Sequence, residues 1–286
     1  MYEHQFIQTN GITLHTVMAG PQDGPLVILL HGFPEFWYGW RRQIPALAEA
    51  GFRVWAPDQR GYNLSDKPHG AAAYSLDHLA ADIGGLLDAA GQERVFLVGH
   101  DWGAVAAWHF ALVAPERLRH LAILNVPHPY VMREHLLSDP RQMARSTYAA
   151  FFQLPWLPEA MLGADNWRAL ARTLQNSSLP GAFSDDDLAL YREAWSRPRA
   201  MTSMLNWYRA LGRQVSDDWP SERVIPPTTI IWGKKDVALR SVMAGESAAL
   251  CDAAELHWLP DNTHWVQHEA ANEVNTLLID RFRSHL

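Results

Sequence analysis

The sequence predicts an α/β fold in which helices flank a mostly parallel central sheet. Short, uninterrupted apolar segments such as "PLVILLHG" and "RVFLVGHD" are typical of strands that are buried on both faces of a sheet. Segments of helical character follow most of these strands, and this alternation is typical of a mostly parallel sheet. An aromatic-rich stretch without a buried strand interrupts the alternation, which indicates an inserted helical segment.

The elements follow one another in a regular order. The N-terminal segment "QFIQTNGITLHTV" predicts a β-hairpin, because its Asn10-Gly11 pair suits a tight turn. The next four predicted strands are "PLVILLHG", "FRVWAPD", "RVFLVGHD" and "LRHLAILNV". The predicted helices between them are 37–50, "SLDHLAADIGGLLDAAG" and 102–113. After a helical stretch from about 130 to 215, the strands "TTIIWGKKD" and "AELHWLPD" alternate with helices at 241–250 and 266–283.

These segments predict one core interrupted by one insertion. We expect residues 1–128 and 218–286 to form the α/β core domain, and residues 129–217 to form a helical cap inserted after the sixth strand. A chain of 286 residues is long enough for one large domain with such an insertion.

The composition narrows the classes of function. A net charge of −7 and the lack of a basic run argue against nucleic acid as the main partner. No apolar stretch is long enough to span a bilayer and the N-terminus is unlike a secretory signal, so we expect a cytoplasmic protein without membrane insertion. The lone cysteine, Cys251, is expected to be buried. A monomer and a homodimer both agree with the sequence.

The segment Gly99-His100-Asp101-Trp102-Gly103 carries the main functional signal. It lies where a predicted strand turns into a predicted helix, and glycines suit such a turn. An aspartate at this position can also be a simple helix N-cap. The segment resembles the nucleophile elbow of the α/β-hydrolase fold, with Asp101 in the place usually held by serine.

The resemblance implies a catalytic triad in the order nucleophile, acid, histidine. Asp236 follows the strand "TTIIWGKK" and matches the acid, and His264 follows "AELHWLP" and matches the base. His257 and His268 are weaker candidates because they lie within a predicted strand and a predicted helix. Asn125 matches the alternative acid position of some relatives, but it carries an amide.

Two further loops resemble the family. "HGFPEFWYGW" resembles the segment that supplies one oxyanion-hole amide, which implies the N–H of Phe33, and the second amide would be that of Trp102. "DQRGYNLSDKP" matches another family loop, with Asn63 where glycine is common. Asparagine tolerates positive φ well, so this departure is mild.

An aspartate nucleophile indicates displacement at a saturated carbon. Aspartate side chains are normally ionised at pH 7 and attack without losing a proton first. The product is an alkyl ester of the aspartate, which a histidine-activated water then hydrolyses at its carbonyl carbon. The oxyanion hole stabilises the charge that develops in this second step.

Residues of the predicted cap distinguish two possible leaving groups, an epoxide oxygen and a halide. "STYAAFFQLP" and "LNWYRALGR" resemble the tyrosine-bearing cap segments of soluble epoxide hydrolases, which implies that Tyr148 and Tyr208 hold the epoxide oxygen. Haloalkane dehalogenases share the elbow, but many of them have an asparagine where this chain has Phe33. We therefore expect an epoxide hydrolase that forms a vicinal diol. The alternatives are a haloalkane dehalogenase and, more remotely, a non-catalytic binding protein of the same fold.

The substrate is expected to be a small apolar epoxide, and the resemblance implies neither a cofactor nor a metal. The expected pocket walls are the aromatic side chains of Trp37, Trp102, Phe152, Trp156 and Trp265, although ordinary core packing also explains each of them.

Overall fold

The computed structural model describes residues 2–211 and 222–286. Within these ranges an eight-stranded sheet has the order β1-β2-β4-β3-β5-β6-β7-β8. β1 pairs with β2 and β2 with β4 in antiparallel fashion, and every other neighbouring pair is parallel. The predicted fold class is confirmed. The strands are Glu3–Thr9 (β1), Ile12–Ala19 (β2), Leu26–Leu30 (β3), Arg53–Pro57 (β4), Val95–His100 (β5), Leu118–Leu124 (β6), Thr228–Gly233 (β7) and Ala254–Leu259 (β8).

Twelve α-helices lie within the described residues. Before β7 they are Gln43–Glu49 (α1), Leu76–Ala89 (α2), Trp102–Val113 (α3), Pro129–Ser138 (α4), Pro140–Arg145 (α5), Thr147–Phe151 (α6), Leu157–Ser177 (α7), Asp185–Trp195 (α8) and Ala200–Leu211 (α9). After β7 they are Val242–Ala249 (α10), Val266–Glu269 (α11) and Ala271–Arg283 (α12). The backbone of α7 is non-helical at 164–167, so this range is interrupted by a kink.

The N-terminal hairpin has the predicted turn. Thr9 pairs with Ile12, and the two residues between them, Asn10 and Gly11, have φ values of 43° and 73°. Positive φ at both central positions is the requirement that Asn-Gly pairs meet best.

The apolar strands are buried on both faces of the sheet, as their composition predicts. In β3, Val27 and Leu29 join an apolar cluster on one face, whereas Ile28 and Leu30 join a larger cluster on the other face. Successive side chains of a strand point to opposite faces, so a strand covered on both sides needs an uninterrupted apolar run.

The strand order creates a crevice at the carboxyl ends of β3 and β5. The chain leaves β3 for β4 on one side and later enters β5 on the other side of β3. Loops that leave such neighbouring strands diverge, and ligands of open α/β sheets bind in the resulting crevice. The loop after β3 carries Phe33, and the residue after β5 is Asp101.

Six of the described helices, α4 to α9, lie between β6 and β7 in the chain, and we call residues 129–211 the helical insertion. Its buried side chains, among them Trp195 and Trp207, belong to the larger apolar cluster of the core. The Trp195 indole donates to the Pro34 carbonyl (2.6 Å), and the Trp207 indole donates to the Arg60 carbonyl (3.0 Å). The insertion is therefore packed onto the loops that follow β3 and β4.

The predicted division into domains stays a prediction. Its first boundary, between 128 and 129, coincides with the start of α4 at Pro129. Its second boundary, between 217 and 218, lies outside the described residues.

The sequence predicts that no segment spans a membrane and that Cys251 is buried. The helices in residues 2–211 and 222–286 include none that is long and apolar enough to cross a membrane. Cys251 is buried, as expected, and burial raises the pKa of its thiol to about 11.

The turn from β5 into α3 depends on two glycines. Asp101, at its apex, has φ 49° and ψ −125°, a conformation that costs energy for any residue with a side chain. A Cβ atom on Gly99 would lie 2.6 Å from the carbonyl oxygen of Gly103, and one on Gly103 would collide with the carbonyl group of Leu30. Glycine at these two positions allows the start of α3 to pack closely against β5 and β3.

A glycine-to-alanine change can distinguish the effect of this close packing from the general preference of helices for alanine over glycine. Gly103→Ala should lower the free energy of unfolding by about 1–3 kcal/mol, as overpacking does elsewhere. Gly245→Ala is the matched control, because Gly245 lies in α10 with no atom within 4 Å of the added carbon. That control should raise the stability by about 0.5–1 kcal/mol. Urea unfolding of both variants gives the comparison, and equal effects would refute the packing argument.

Candidate active site

A cavity of about 550 Å³ lies beside the start of α3 and under the insertion. Asp101, Trp102, Tyr148 and Tyr208 all line it, so the structure brings these four predicted residues together. The remaining wall is mainly aliphatic and comes from α2, α3, the loop after β6, α4, α6, α9 and the loop after β7. Its apolar residues include Leu76, Val105, Val126, Met132, Leu136 and Leu239. Such a cavity suits an apolar ligand.

The carboxylate of Asp101 has two different environments. Its Oδ1 accepts the backbone N–H of Phe33 at 2.6 Å, and its Oδ2 lies 3.6 Å from Nε2 of His264. A Cβ atom on Gly32 would collide with the Asp101 side chain, so the chain needs glycine there. Trp102 begins α3, and the first amides of a helix have no partner within it. The Phe33 amide thus contacts the carboxylate directly, and the role of both amides in an oxyanion hole stays a prediction.

His264 and Asp236 form a buried hydrogen-bonded pair. Nδ1 of His264 lies 2.7 Å from Oδ2 of Asp236, while its Nε2 faces Asp101. His264 follows β8 and Asp236 follows β7, as the motif order predicts. A carboxylate on Nδ1 orients the ring so that Nε2 points toward the reacting group.

Asp236 is held by further donors. Its Oδ1 accepts the backbone N–H groups of Ala238 (2.7 Å) and Leu239 (2.9 Å), and its Oδ2 accepts the side-chain amide of Asn125 (2.9 Å). Burial by itself raises the pKa of Asp236, but the charge of His264 and these hydrogen bonds outweigh it and lower the pKa below its ordinary value. Asp236 therefore stays ionised and fixed in one orientation.

Two carboxylates control the charge of His264. Burial alone would lower its pKa, but the negative charges of Asp236 and Asp101, with the hydrogen bond to Asp236, raise the pKa to about 10. The ring is thus an imidazolium at neutral pH as long as both carboxylates are ionised. Removal of either negative charge lowers this pKa and so increases the fraction of neutral ring, the form that can accept a proton.

The two predicted tyrosines approach the cavity from different helices. Tyr148 lies on α6 and Tyr208 on α9, with ring centroids 6.1 Å apart. Burial raises the pKa of Tyr208 well above its ordinary value, and the nearby Tyr148 and Asp101 add to this shift. Tyr148 is 41% exposed but lines the cavity, and burial together with the charge of Asp101 also raises its pKa. Both phenols therefore keep their protons at neutral pH.

Four of the five expected wall residues do not line this cavity. Trp156 is 73% exposed on the surface of the insertion. Trp37 packs against Tyr2 and His4, away from the cavity lining. Hydrophobicity alone does not indicate which surface an aromatic ring joins, so the local sequence does not place these rings.

The other two misplaced wall residues support the site from behind. Phe152 packs against Tyr208, with ring centroids 5.0 Å apart, and Trp265 packs against His264, with centroids 5.2 Å apart. Trp102 is the expected wall residue that does line the cavity.

A buried carboxylate behind the site was not predicted. Oε1 of Glu35 accepts the Tyr191 hydroxyl (2.6 Å) and lies 2.7 Å from Nε2 of His268. His100 Nδ1 lies 3.5 Å from Oε2 of Glu35, and His100 Nε2 donates to the backbone carbonyl of His264 (2.9 Å). Burial favours a raised pKa for Glu35, but its histidine neighbours lower the pKa well below the ordinary value. This carboxylate, which lies in the loop after β3, links the insertion through Tyr191 to α11 through His268.

The structure offers no obvious metal ligands in the part of the chain that it describes. There, no three His, Cys, Asp or Glu side chains cluster in a way that could hold a metal ion.

Comparisons with known proteins identify the family. A family model described as alpha/beta hydrolase fold matches residues 25–271. Epoxide hydrolase 4 of Mus musculus is 36% identical over an alignment that spans 95% of this chain and 77% of that protein. The chain belongs to the epoxide hydrolases of the α/β-hydrolase family. It is therefore a hydrolase.

Other relatives cover almost the whole chain. AB hydrolase superfamily protein YfhM of Bacillus subtilis is 45% identical over 98% of both chains. The crystal structure of a Bacillus megaterium epoxide hydrolase in complex with an inhibitor has a TM-score of 0.89 at 32% identity, over 98% of this chain and 100% of that chain. The insertion is thus part of the fold that this chain shares with the epoxide hydrolases.

The charge of His264 gives the first test of the site. Asp101→Asn should lower the pKa of His264 from about 10, because it removes one of the two carboxylates that raise this value. An NMR titration of the imidazole in both proteins measures the change. Asp88→Asn is a suitable control, because Asp88 is 70% exposed and pairs with Arg117 at the surface. An unchanged pKa in the Asp101 variant would mean that Asp236 alone sets the charge of His264.

Proposed function

We propose that this chain hydrolyses an apolar epoxide to a vicinal diol through a covalent ester of Asp101. The observation that carries the proposal is one apolar cavity lined by a carboxylate with an oxyanion amide and by two protonated tyrosines. The family membership supports the same activity. The insertion then acts as a cap that brings the tyrosines to the nucleophile.

In the first step, Asp101 attacks one carbon of the epoxide and the C–O bond of that carbon breaks. Oδ1 already accepts the Phe33 amide, so it becomes the carbonyl oxygen of the ester and Oδ2 is the attacking atom. Tyr148 and Tyr208 donate hydrogen bonds to the leaving oxygen, and one of them supplies the proton that turns the alkoxide into an alcohol. Their raised pKa values keep these protons available before ring opening.

In the second step, His264 activates water. Esterification removes the negative charge of Asp101, so the pKa of His264 falls below about 10; the imidazolium then releases its proton to solvent, the tyrosinate left by the first step regains one, and the neutral Nε2 can accept a proton. The activated water gives one proton to Nε2 and attacks the ester carbonyl, and the amides of Phe33 and Trp102 stabilise the resulting oxyanion. Its collapse breaks the bond between the carbonyl carbon and the diol oxygen, the second proton of the water ends on the diol, and the carboxylate of Asp101 and the imidazolium are restored. Only neutral His264 is active here, so this step accelerates as the pH rises through the pKa of His264 in the ester.

Two observations favour an epoxide over a haloalkane. Both tyrosines line the cavity, and a departing halide needs no proton from them. The residue whose amide meets Oδ1 of Asp101 is Phe33, and its side chain offers no hydrogen-bond donor to a departing halide. A non-catalytic role would leave unexplained why His264 lies 2.7 Å from Asp236 on one side of its ring and 3.6 Å from Asp101 on the other.

Isotope labelling tests the nucleophile. In a single turnover in ¹⁸O-labelled water, the label should enter the carboxylate of Asp101 and be absent from the diol, because water attacks the ester carbonyl. Mass spectrometry of the peptides locates the label, and the peptide of Asp82 is the control. Asp82 is a buried carboxylate paired with Arg60 outside the cavity. Solvent ¹⁸O in the first diol would instead demonstrate direct attack of water on the epoxide.

Removal of the phenolic hydroxyls tests the leaving group. Loss of one donor to a developing oxyanion costs about 2.7–4 kcal/mol elsewhere, and here the second tyrosine offsets part of that loss. Tyr148→Phe and Tyr208→Phe should each slow alkylation without abolishing it, and the double variant should nearly eliminate it. The measurement is the pre-steady-state rate of ester formation.

Tyr130→Phe is the control for these variants, because Tyr130 lies on α4 without lining the cavity. Its rate should match the wild type. A double variant that opened epoxides at the wild-type rate, or a protein that released halide and left epoxides intact, would refute the proposed leaving group.

A further inference from the structure

Tyr148 and Tyr208 lie on different helices, so contacts between those helices must set the distance between the two phenols. Tyr148 lies on α6, a helix of five residues, and Tyr208 lies on α9, about sixty positions later in the chain. A helix as short as α6 has little stability of its own, because forming its first turn costs more than it returns. Contacts with other elements must therefore fix the position of Tyr148.

Arg209, the residue after Tyr208, makes such contacts. Its Nε donates to the backbone carbonyl of Phe152 (3.0 Å), and its Nη2 donates to that of Leu154 (2.7 Å). The same guanidinium makes two parallel bonds to Glu159, from Nη1 to Oε1 (2.8 Å) and from Nη2 to Oε2 (3.1 Å). Its side chain is 12% exposed and that of Glu159 is 18% exposed. A planar, bidentate pair of this kind fixes direction as well as distance.

The turn at 152–154 also donates a hydrogen bond to α9. The side-chain amide of Gln153 donates to the backbone carbonyls of Tyr208 and Ala149, both at 3.1 Å. Between these bonds the ring of Phe152 packs against both tyrosines, with centroids 5.0 Å from Tyr208 and 5.7 Å from Tyr148. The end of α6 and the residue pair Tyr208-Arg209 are thus joined in both directions.

We propose that Arg209 is a positioning residue that sets the separation of the two phenols for ring opening. Arg209 does not line the cavity, so it acts through the turn at 152–154 and not on the substrate. Glu159 orients the guanidinium, and the two carbonyl bonds hold the C-terminal end of α6 against α9. This inference rests on the proposed role of the tyrosines.

The first experiment separates the two chemical steps. Arg209→Met keeps the length of the side chain and removes all its donors, and it should slow alkylation about tenfold to hundredfold, as small misplacements of catalytic groups do. Hydrolysis of the ester should stay within about twofold of wild type, because the tyrosines take no part in that step. Arg209→Lys, which keeps one donor group, should retain an intermediate rate. A general loosening of the fold would slow both steps.

Two further variants distinguish a loss of positioning from a general loss of folding. Glu159→Gln leaves Arg209 in place but removes the charge that orients it, and it should also slow alkylation selectively. Arg197→Met is the matched control, because Arg197 pairs with Glu193 (2.7 Å) at an exposed site of the insertion. Wild-type kinetics are expected for the control. Equal slowing of both steps in Arg209→Lys and Glu159→Gln would overturn the positioning role.

A double-mutant cycle identifies the partner. If Arg209 acts by placing Tyr148, Arg209→Met should have little further effect on alkylation in the Tyr148→Phe background. Full additivity of the two changes would overturn the inference and leave the proposed function intact. If Tyr148→Phe and Tyr208→Phe alone leave alkylation at the wild-type rate, the proposed function fails and the inference fails with it.

Discussion

The site depends on the strained turn that joins β5 to α3. Asp101 occupies a backbone conformation that its own side chain disfavours, and the packing of glycines 99 and 103 against neighbouring backbone holds it there. The turn exposes the carboxylate at the point where the loops after β3 and β5 diverge, so the Phe33 amide can reach Oδ1 while His264 faces Oδ2. A relaxed backbone would turn the carboxylate away from one of these two partners.

The charge of a single carboxylate coordinates the two proposed steps. While Asp101 is ionised, it helps to keep His264 protonated, and an imidazolium cannot remove a proton from water. Esterification cancels that charge, so the base becomes active when there is an ester to hydrolyse. Asp236 stays ionised throughout, because Asn125 and two backbone amides hold it. In the proposed mechanism, the order of the two steps follows from these electrostatic interactions.

The sequence predicts the features that depend on local pattern. Uninterrupted apolar runs identify the strands of the sheet, and the motif order places Asp101, Asp236 and His264 in one site. The local sequence does not identify the cavity walls, because an indole such as that of Trp156 has the same local signature on a surface as in a pocket. The carboxylate of Glu35 also escaped prediction, since its partners come from three distant segments that only the fold brings together.

The position of Glu35 limits how freely this protein can be recombined with its relatives. A chimera that kept the core and took its insertion from another protein would inherit a buried carboxylate whose hydroxyl donor, Tyr191, belongs to the discarded part. An unsatisfied buried acceptor costs about 1–3 kcal/mol, and more when it is charged. Grafts that retain tyrosine at that position, or that replace Glu35 and His268 together, avoid this penalty. A segment exchanged in such a chimera should therefore be chosen so that the hydrogen-bond partners of Glu35 stay together, and not only by where helices end.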